Sequence, residues 1–166
     1  MFIFLSHGCP CGNLGHPTKV CRCRPGEIQK YRGRVSGPLL DRIDIHVDVP
    51  PVEYRELSGE RSGEPSAAIR ERVLRARQTQ LERFKGERFF CNARMQMPQI
   101  RRHCKLDGDG QALLKQAMES LGLSARAYTK ILKVGRTIAD LEGAASIQPH
   151  HITEAINYRT LDRALE

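Results

Sequence analysis

The chain has 166 residues and a formal net charge of +8, which is enough for one domain with its own core or for two small pieces. Its excess of Lys and Arg favours anionic partners such as nucleic acid or nucleotide phosphates, although exposed basic helices are common without either. No apolar run approaches the roughly 20 residues of a membrane span. Six cysteines without an export signal indicate a reducing compartment, so we expect a cytoplasmic protein without a disulfide framework.

A cysteine-rich loop follows an apolar stretch at residues 2–5, which predicts a short buried strand. The loop holds two Cys-x-Cys pairs, formed by Cys9, Cys11, Cys21 and Cys23. Four thiolates are the donor set of a tetrahedral structural zinc site, so we expect zinc here. The alternative is four reduced thiols that pack the loop. The loop is also basic, and its charge either meets phosphates or lies in solvent.

The stretch from Ser36 to Pro50 combines a helix start with a strand pattern. Ser36 and Pro38 are typical of the first turn of a helix. From residue 43 to residue 49, apolar and polar side chains alternate, which predicts a second strand. Asp41 and Arg42 lie at the junction between the two. This position suits a functional arginine, and it equally suits a local ion pair that closes the turn.

Residues 53–65 are rich in Gly, Pro and charge and predict a linker. The helical pattern beyond it predicts a small bundle of four to five helices. We expect Ser66 to cap the first helix, whose apolar stripe comprises Ile69, Val73, Ala76, Leu81 and Phe84. Its other face is basic and carries Arg70, Arg72, Arg75, Arg77 and Arg83. This face is either solvated or lies along a nucleic-acid strand.

The later helices have recognisable ends. We expect Asp109 to cap one helix, Ser124 to cap the next and Gly143 to end it, and Pro149 to begin the last. Arg126 follows the Ser124 cap directly. A cation in the first turn opposes the helix dipole unless an anion is nearby, and a helix start with an arginine suits a phosphate. The alternative is an arginine whose stem covers the bundle.

Several motifs together carry a family resemblance. They are Cys-Pro-Cys-Gly, Cys-Arg-Cys, Tyr-Arg-Gly-Arg-Val-Ser-Gly-Pro-Leu-Leu-Asp-Arg-Ile-Asp-Ile-His-Val, Leu-Ser-Ala-Arg-Ala-Tyr and Gly-Arg-Thr-Ile-Ala-Asp-Leu, from about Cys9 to the C-terminus. This set resembles the C-terminal part of a magnesium-chelatase-related AAA+ ATPase, of the ComM (YifB-like) branch.

The resemblance implies a division of the chain and roles for two arginines. Residues 1–52 would be the C-terminal remnant of an AAA+ α/β core with one or two strands, residues 53–65 a linker, and residues 66–166 the helical lid. Arg42 would be the arginine finger that reaches the ATP of the neighbouring subunit, and Arg126 the sensor-2 arginine. The family forms ring hexamers that hydrolyse ATP, and this branch is associated with moving DNA branch points during natural transformation.

The sequence also departs from the family pattern. The positions of the sensor-1 motif read Ser6-His7-Gly8, and no Gly-x-x-x-x-Gly-Lys-Ser/Thr motif is present to cradle a triphosphate. We therefore expect a fragment that is inactive alone and that meets ATP and Mg²⁺ only with the missing core or a partner subunit. The alternatives are a stand-alone, zinc-stabilised module that binds nucleic acid and a chelatase subunit that acts on a porphyrin.

Overall fold

A computed structural model describes residues 3–50, 52 and 63–159 of the chain. Their regular elements are a 3-10 turn at Asn92–Arg94 and seven helices, α1 (Pro25–Arg32), α2 (Gly37–Leu40), α3 (Ser66–Arg83), α4 (Met97–His103), α5 (Gly108–Ser120), α6 (Ala125–Glu142) and α7 (Pro149–Asn157). The mainly helical fold expected from the sequence is confirmed. None of these described helices is long and apolar enough to cross a membrane.

The two predicted strands are not found among the described residues. Residues 3–5 and 43–49 have no regular secondary structure, and residue 2 lies outside the described part. Three apolar side chains of the second segment are exposed, namely Ile45, Val47 and Val49, whereas His46 is buried. A strand needs a neighbouring strand to bond its backbone. Here the N–H of His46 donates to the carbonyl of Tyr158 at 2.8 Å, so this segment is attached to the end of α7.

Helices α3–α7 form the predicted bundle around one apolar core. Residues 53–62 of the predicted linker lie outside the described residues. Helix α6 is central, because it packs against α3, α4, α7 and the 3-10 turn. The core side chains include Phe84, Met95, Ile100, Leu114, Ile131, Leu132, Ala139, Ile147, Ile152 and Ala155. A Cβ atom at Gly135 would lie 3.0 Å from Cδ1 of Ile152, so glycine permits the close approach of α6 and α7.

Most of the predicted helix ends are confirmed, but the prediction for α3 is wrong by one position, because Pro65 is the N-cap and Ser66 is the first helical residue. The Oγ of Ser124 accepts from the N–H of Ala127 at 3.1 Å, and α6 ends at Gly143, which has a φ of +83°. Pro149 is the first residue of α7. The prediction for α5 is wrong by two positions, because Asp107 caps this helix by accepting from the N–H of Gly110 at 2.7 Å. Both aspartates suit a helix start, and sequence alone does not separate them.

Helix α3 packs through a narrower stripe than predicted. Its buried contacts come from Ala76, Gln80 and Phe84, which are spaced four residues apart and therefore share one face. Three residues assigned to the apolar stripe are 41–44% exposed, namely Ile69, Val73 and Leu81. Arg83 was assigned to the basic face, but its side chain is only 12% exposed. Arg83 instead lies on the packed side of α3, where its guanidinium binds the buried carboxylate of Asp140.

The carboxylate of Asp140 joins three elements of the bundle. It accepts from Nη1 of Arg83 at 2.6 Å, from Nδ2 of Asn92 at 2.8 Å and from Nε of Arg136 at 3.0 Å. The side chains of Asp140 and Arg136 are 0% and 4% exposed. Burial alone would raise the pKa of Asp140, but these hydrogen bonds and the two guanidinium charges hold that pKa below its usual value. We call Arg83, Asn92, Arg136 and Asp140 the Asp140 network.

Replacing Asp140 by asparagine should destabilise the bundle strongly. The variant leaves two largely buried guanidinium groups without their carboxylate, and breaking a buried pair in this way costs about 3–5 kcal/mol. Urea denaturation followed by far-UV circular dichroism measures the loss. The matched control is Glu119→Gln, whose partner Lys115 is exposed and 3.9 Å away, and it should cost less than about 1 kcal/mol. Equal losses in the two variants would contradict a stabilising role for the network.

The difference in stability between the natural chain and Asp140→Asn should also depend on pH. Because the folded-state pKa of Asp140 is lowered, its stabilisation is fully present above the pKa of an unfolded aspartate, about 4, and is lost as the pH falls through the folded-state value. We expect the free-energy difference to be constant between about pH 5 and 7 and to narrow toward pH 3. If the difference in unfolding free energy increased as the pH falls, this would contradict a lowered pKa for Asp140.

Candidate functional site

The segment around Arg42 is attached to the helical bundle through the side chain of Asp41. One carboxylate oxygen, Oδ1, accepts from the Oγ of Ser124 at 2.8 Å and lies 3.7 Å from Nη2 of Arg159. The other, Oδ2, lies 3.9 Å from Nη1 of Arg126. We call Asp41, Ser124, Arg126 and Arg159 the Asp41 junction. It brings residues 83 positions apart in the sequence into direct contact.

Local structure explains why Asp41 points at α6. Helix α2 is only one turn long and ends at Leu40, with Asp41 as its C-cap. The next two N–H groups, of Arg42 and Ile43, donate back into α2 at 3.0 and 2.9 Å, so the chain turns sharply here. Asp41 is thereby placed at the N-terminus of α6, where the helix dipole favours a negative charge. A second contact, 2.9 Å between Asp44 and Lys130, holds the same two segments together.

The side chain of Arg42 takes no part in these contacts. Its side chain is exposed, and its guanidinium makes no hydrogen bond or ion pair with any residue in the described ranges. The local Asp41–Arg42 ion pair considered from the sequence is not formed, because Asp41 is engaged by Arg126, Arg159 and Ser124. The cation of Arg42 is therefore accessible beside the junction.

Arg126 is also open to solvent. Its side chain is 73% exposed, so its stem does not cover the bundle as the alternative interpretation required. Its ion pair with Asp41, at 3.9 Å, is long and exposed, and such a pair contributes little stability. Arg42 and Arg126 are far apart in the sequence, yet Arg42 directly follows Asp41, whose carboxylate contacts Arg126.

The four predicted cysteine ligands are brought together. The Sγ atoms of Cys9, Cys11, Cys21 and Cys23 all lie within 4.8 Å of one another, and three of the separations are 3.4, 3.6 and 3.7 Å. Four thiolates around a tetrahedral zinc at about 2.3 Å are about 3.8 Å apart. The four side chains can therefore bind a metal ion, and both the spacing and the sulfur donors fit zinc.

The backbone of the loop brings these four thiols together. A turn brings the N–H of Gly12 to 3.1 Å from the carbonyl of Cys9, and Gly12 has a φ of +75° that favours glycine. Backbone hydrogen bonds from Asn13 and then Arg22 lower the pKa of Cys11 to about 6. One thiolate is therefore present near neutral pH, and a cation would favour ionisation of the other three.

A second polar cluster comprises Glu142, His150 and His151. Nε2 of His150 lies 2.9 Å from Oε2 of Glu142, and Nε2 of His151 contacts the same oxygen. However, Nδ1 of His151 accepts from the N–H of Gln148 at 2.8 Å. In the neutral ring Nε2 must then carry the hydrogen, which it donates to Glu142. This cluster is accounted for as a helix-capping hydrogen-bond chain.

Sequence reasoning missed the Asp140 network, although a signal for it exists. Arg136 and Asp140 are four residues apart, in phase with the buried side chains Leu132 and Ala139 of α6. A charged pair in phase with an apolar face is a candidate for a buried ion pair. The contact between Asp41 and Ser124 has no such local signal, because it depends on how α2 and α6 pack.

Comparison with known proteins places the chain in a family. A family model described as magnesium chelatase, subunit ChlI, matches residues 1–57, and one described as magnesium chelatase, subunit ChlI C-terminal, matches residues 63–159. The boundary between the two matches falls inside the predicted linker.

Curated relatives agree with the family models. The chain is 44% identical to competence protein ComM of Haemophilus influenzae, over 92% of this chain and 30% of that protein. It is 41% identical to the uncharacterized protein YifB of Salmonella typhimurium, over 87% of this chain and 28% of the relative. The chain thus spans about 30% of the length of these relatives. These matches confirm the resemblance found from the motifs, and the chain belongs to the magnesium chelatase ChlI family, whose C-terminal model covers the five-helix bundle.

Proposed function

We propose that this chain supplies the nucleotide-sensing end of a ComM-like AAA+ ATPase. In this proposal Arg42 is the arginine finger and Arg126 the sensor-2 arginine, and both act on an ATP held by a P-loop that is not in this sequence. The observation that supports the proposal is the Asp41 junction, which joins the residue next to Arg42 to the start of the helix that carries Arg126, while the side chains of both arginines are exposed.

The chemistry of phosphoryl transfer suits an accessible arginine at position 42. Negative charge on the γ-phosphoryl oxygens is stabilised in the transition state by an arginine finger. A guanidinium that is already paired within its own chain would have to break that pair first. Arg42 makes no such pair among the described residues, and its planar, permanently charged fork matches phosphate oxygens in a way that Lys does not.

Arg126 adds a second cation at a helix N-terminus. The backbone N–H groups at the start of α6 and the helix dipole both favour an anion there. The present partner of Arg126 is Asp41 at 3.9 Å, a weak contact that a phosphate could replace. By family resemblance, the assembled protein would be a homo-hexameric ring that hydrolyses ATP to move DNA branch points during natural transformation.

We further propose that the cysteine cluster holds one structural zinc ion. The loop has little apolar content to stabilise it, and a metal bound by Cys9, Cys11, Cys21 and Cys23 would supply folding free energy directly. The guanidinium of Arg32 donates to the carbonyl of Gly8 at 3.1 Å and so links the metal loop to α1. Zinc would act through structure, by fixing the polypeptide that leads to Arg42.

The alternative of a stand-alone module that binds nucleic acid along α3 has less support. Of the arginines assigned to the basic face, Arg83 is bound to Asp140, Arg72 pairs with Glu64 and Arg75 pairs with Glu71. The continuous basic face that this reading required is therefore interrupted. Only Arg70 and Arg77 of that set lack an ion pair with another described residue.

The finger assignment predicts a large kinetic effect of Arg42→Ala. Because this sequence has no P-loop, the chain is first joined to the N-terminal part of the Haemophilus relative, in place of the matching segment. Steady-state ATP hydrolysis by this chimera should fall about a thousandfold or more in Arg42→Ala. Arg42→Lys should restore little, since Lys lacks the bidentate fork. The control Arg94→Ala removes an exposed arginine away from the junction and should leave the rate within about twofold.

Mixing two inactive chimeras tests whether Arg42 acts across a subunit boundary. One carries Arg42→Ala, and the other carries an alanine in place of its P-loop lysine. If Arg42 serves the neighbouring subunit, mixed rings should recover part of the hydrolysis rate, because some interfaces combine an intact P-loop with an intact finger. Unchanged activity in Arg42→Ala, or no recovery on mixing, would refute the assignment.

The zinc proposal is tested by metal analysis. Protein purified without chelator should contain about one zinc ion per chain, and Cys9→Ser should lower this content. The control Cys91→Ser alters a cysteine outside the cluster and should retain the metal. Replacement by cobalt should give the thiolate-to-metal charge-transfer absorption expected of sulfur ligands. A zinc content below about half an equivalent would favour four reduced thiols instead.

A further inference from the structure

A basic pocket lies at the end of the bundle away from the Asp41 junction. Its volume is about 270 Å³, and its polar lining comes from Arg83, Arg102, His103, Lys105, Arg136 and Ser146. The pocket is bounded by the ends of α3 and α4 and by the α6–α7 connection. Arg126 and Arg136 are ten positions apart on α6, which is about 15 Å along the helix. The pocket is thus separate from the proposed nucleotide site.

The charge of this pocket is not balanced by the residues that form it. Four lining residues are cationic, three arginines and one lysine, and none of the lining residues is acidic. Asp140 lies behind the pocket and is shared by Arg83 and Arg136. Glu87 also lies close enough to act on the charge of His103. Two carboxylates therefore stand against four cationic side chains, which leaves a net positive charge before His103 is considered. Neither Arg102 nor Lys105 forms an ion pair within the described ranges.

Ordinary structural roles account for only part of this charge. Arg102 and His103 lie in the last turn of α4, where a cation compensates the helix dipole, but that dipole is equivalent to about half a negative charge. Arg136 also donates to the carbonyls of Ala144 and Ala145 at 2.7 and 3.0 Å. These contacts orient its guanidinium without neutralising it. A largely buried pair of guanidinium groups that carries excess charge favours an anion at the adjacent open face.

His103 is suited to hydrogen bonding within this pocket. Burial and then the charge of Arg102 hold the pKa of His103 below its usual value, although Glu87 acts in the opposite direction. The ring is therefore neutral at neutral pH, and it is placed edge-on to Phe84 with centroids 5.7 Å apart. A neutral imidazole offers one donor and one acceptor, so it can bond a partly protonated oxyanion.

We propose that this pocket is a binding site for an oxyanion of the phosphate class. The multiple cationic donors match phosphate oxygens in charge and geometry. A volume of about 270 Å³ is below the roughly 300–1,000 Å³ of pockets that enclose whole small molecules. This volume is large enough for one phosphoryl group, which is the ligand that the cationic lining favours. That group is free phosphate, the terminal phosphate of a nucleotide or a phosphodiester of a nucleic-acid strand.

The test measures binding of inorganic phosphate to the 166-residue chain. Calorimetric titration and the thermal midpoint are recorded in phosphate and in chloride at the same ionic strength and pH. Phosphate should raise the midpoint relative to chloride, since a ligand that binds the folded state stabilises it. The double variant Arg102→Ala/Lys105→Ala removes two exposed lining cations and should weaken phosphate binding about tenfold or more.

The matched control removes the same charge elsewhere. Arg101→Ala/Lys115→Ala alters two exposed cations that do not line the pocket, and it should change phosphate affinity by less than about twofold. No difference between phosphate and chloride would overturn the proposal, as would equal weakening by the two double variants. These outcomes are independent of ATP hydrolysis by the chimera, so failure here leaves the Arg42 assignment untouched.

Competition then identifies the source of the phosphoryl group. Displacement of phosphate by a mononucleotide, but not by an oligonucleotide without terminal phosphates, assigns a terminal phosphoryl group. Displacement by that oligonucleotide assigns a backbone phosphodiester, and the affinity should then fall as salt increases. Displacement by neither assigns free phosphate. In every case, loss of binding in Arg102→Ala/Lys105→Ala is required for the pocket to be the site.

Discussion

The sharing of one buried carboxylate by two guanidinium groups is the constraint on which the bundle depends. Asp140 accepts from Arg83 on α3 and from Arg136 on its own helix, and it also binds Asn92 in the 3-10 turn. Apolar contacts between these elements are non-directional and tolerate sliding. The hydrogen bonds do not, since each has a defined length and angle. The network therefore fixes the rotation of α3 and its position along α6.

Helix α6 connects the Asp140 network to the Asp41 junction. Its N-terminal turn holds Ser124 and Arg126 against Asp41, its middle holds Lys130 against Asp44, and its C-terminal half holds the Asp140 network. Both proposed anion sites thus use one helix, at opposite ends.

The features that sequence predicted correctly are those set by neighbouring residues. The cap at Ser124, the end at Gly143 and the start at Pro149 depend on local backbone chemistry. The segment 43–49 was predicted as a strand because apolar and polar residues alternate along it. This alternation does not show whether a neighbouring strand is present to pair with the segment. Arg83 was predicted to lie on the exposed basic face, which is either solvated or lies along a nucleic-acid strand, because charged residues are usually exposed. Its true position follows from Asp140, 57 residues later, which no local pattern specifies.

The convergence of the four cysteines was predictable because short spacings limit where thiols can lie. The Asp41 junction was not predictable from the sequence. It couples the position of the N-terminal end of α6 to the position of Asp41. This helix has 18 residues and is therefore about 27 Å long. If the helix tilts by about ten degrees around its far end, Ser124 moves by about 5 Å. A hydrogen bond of 2.8 Å does not survive such a displacement unless Asp41 follows. A tilt of the helix therefore either moves Asp41, and with it the neighbouring Arg42, or breaks the hydrogen bond between Ser124 and Asp41.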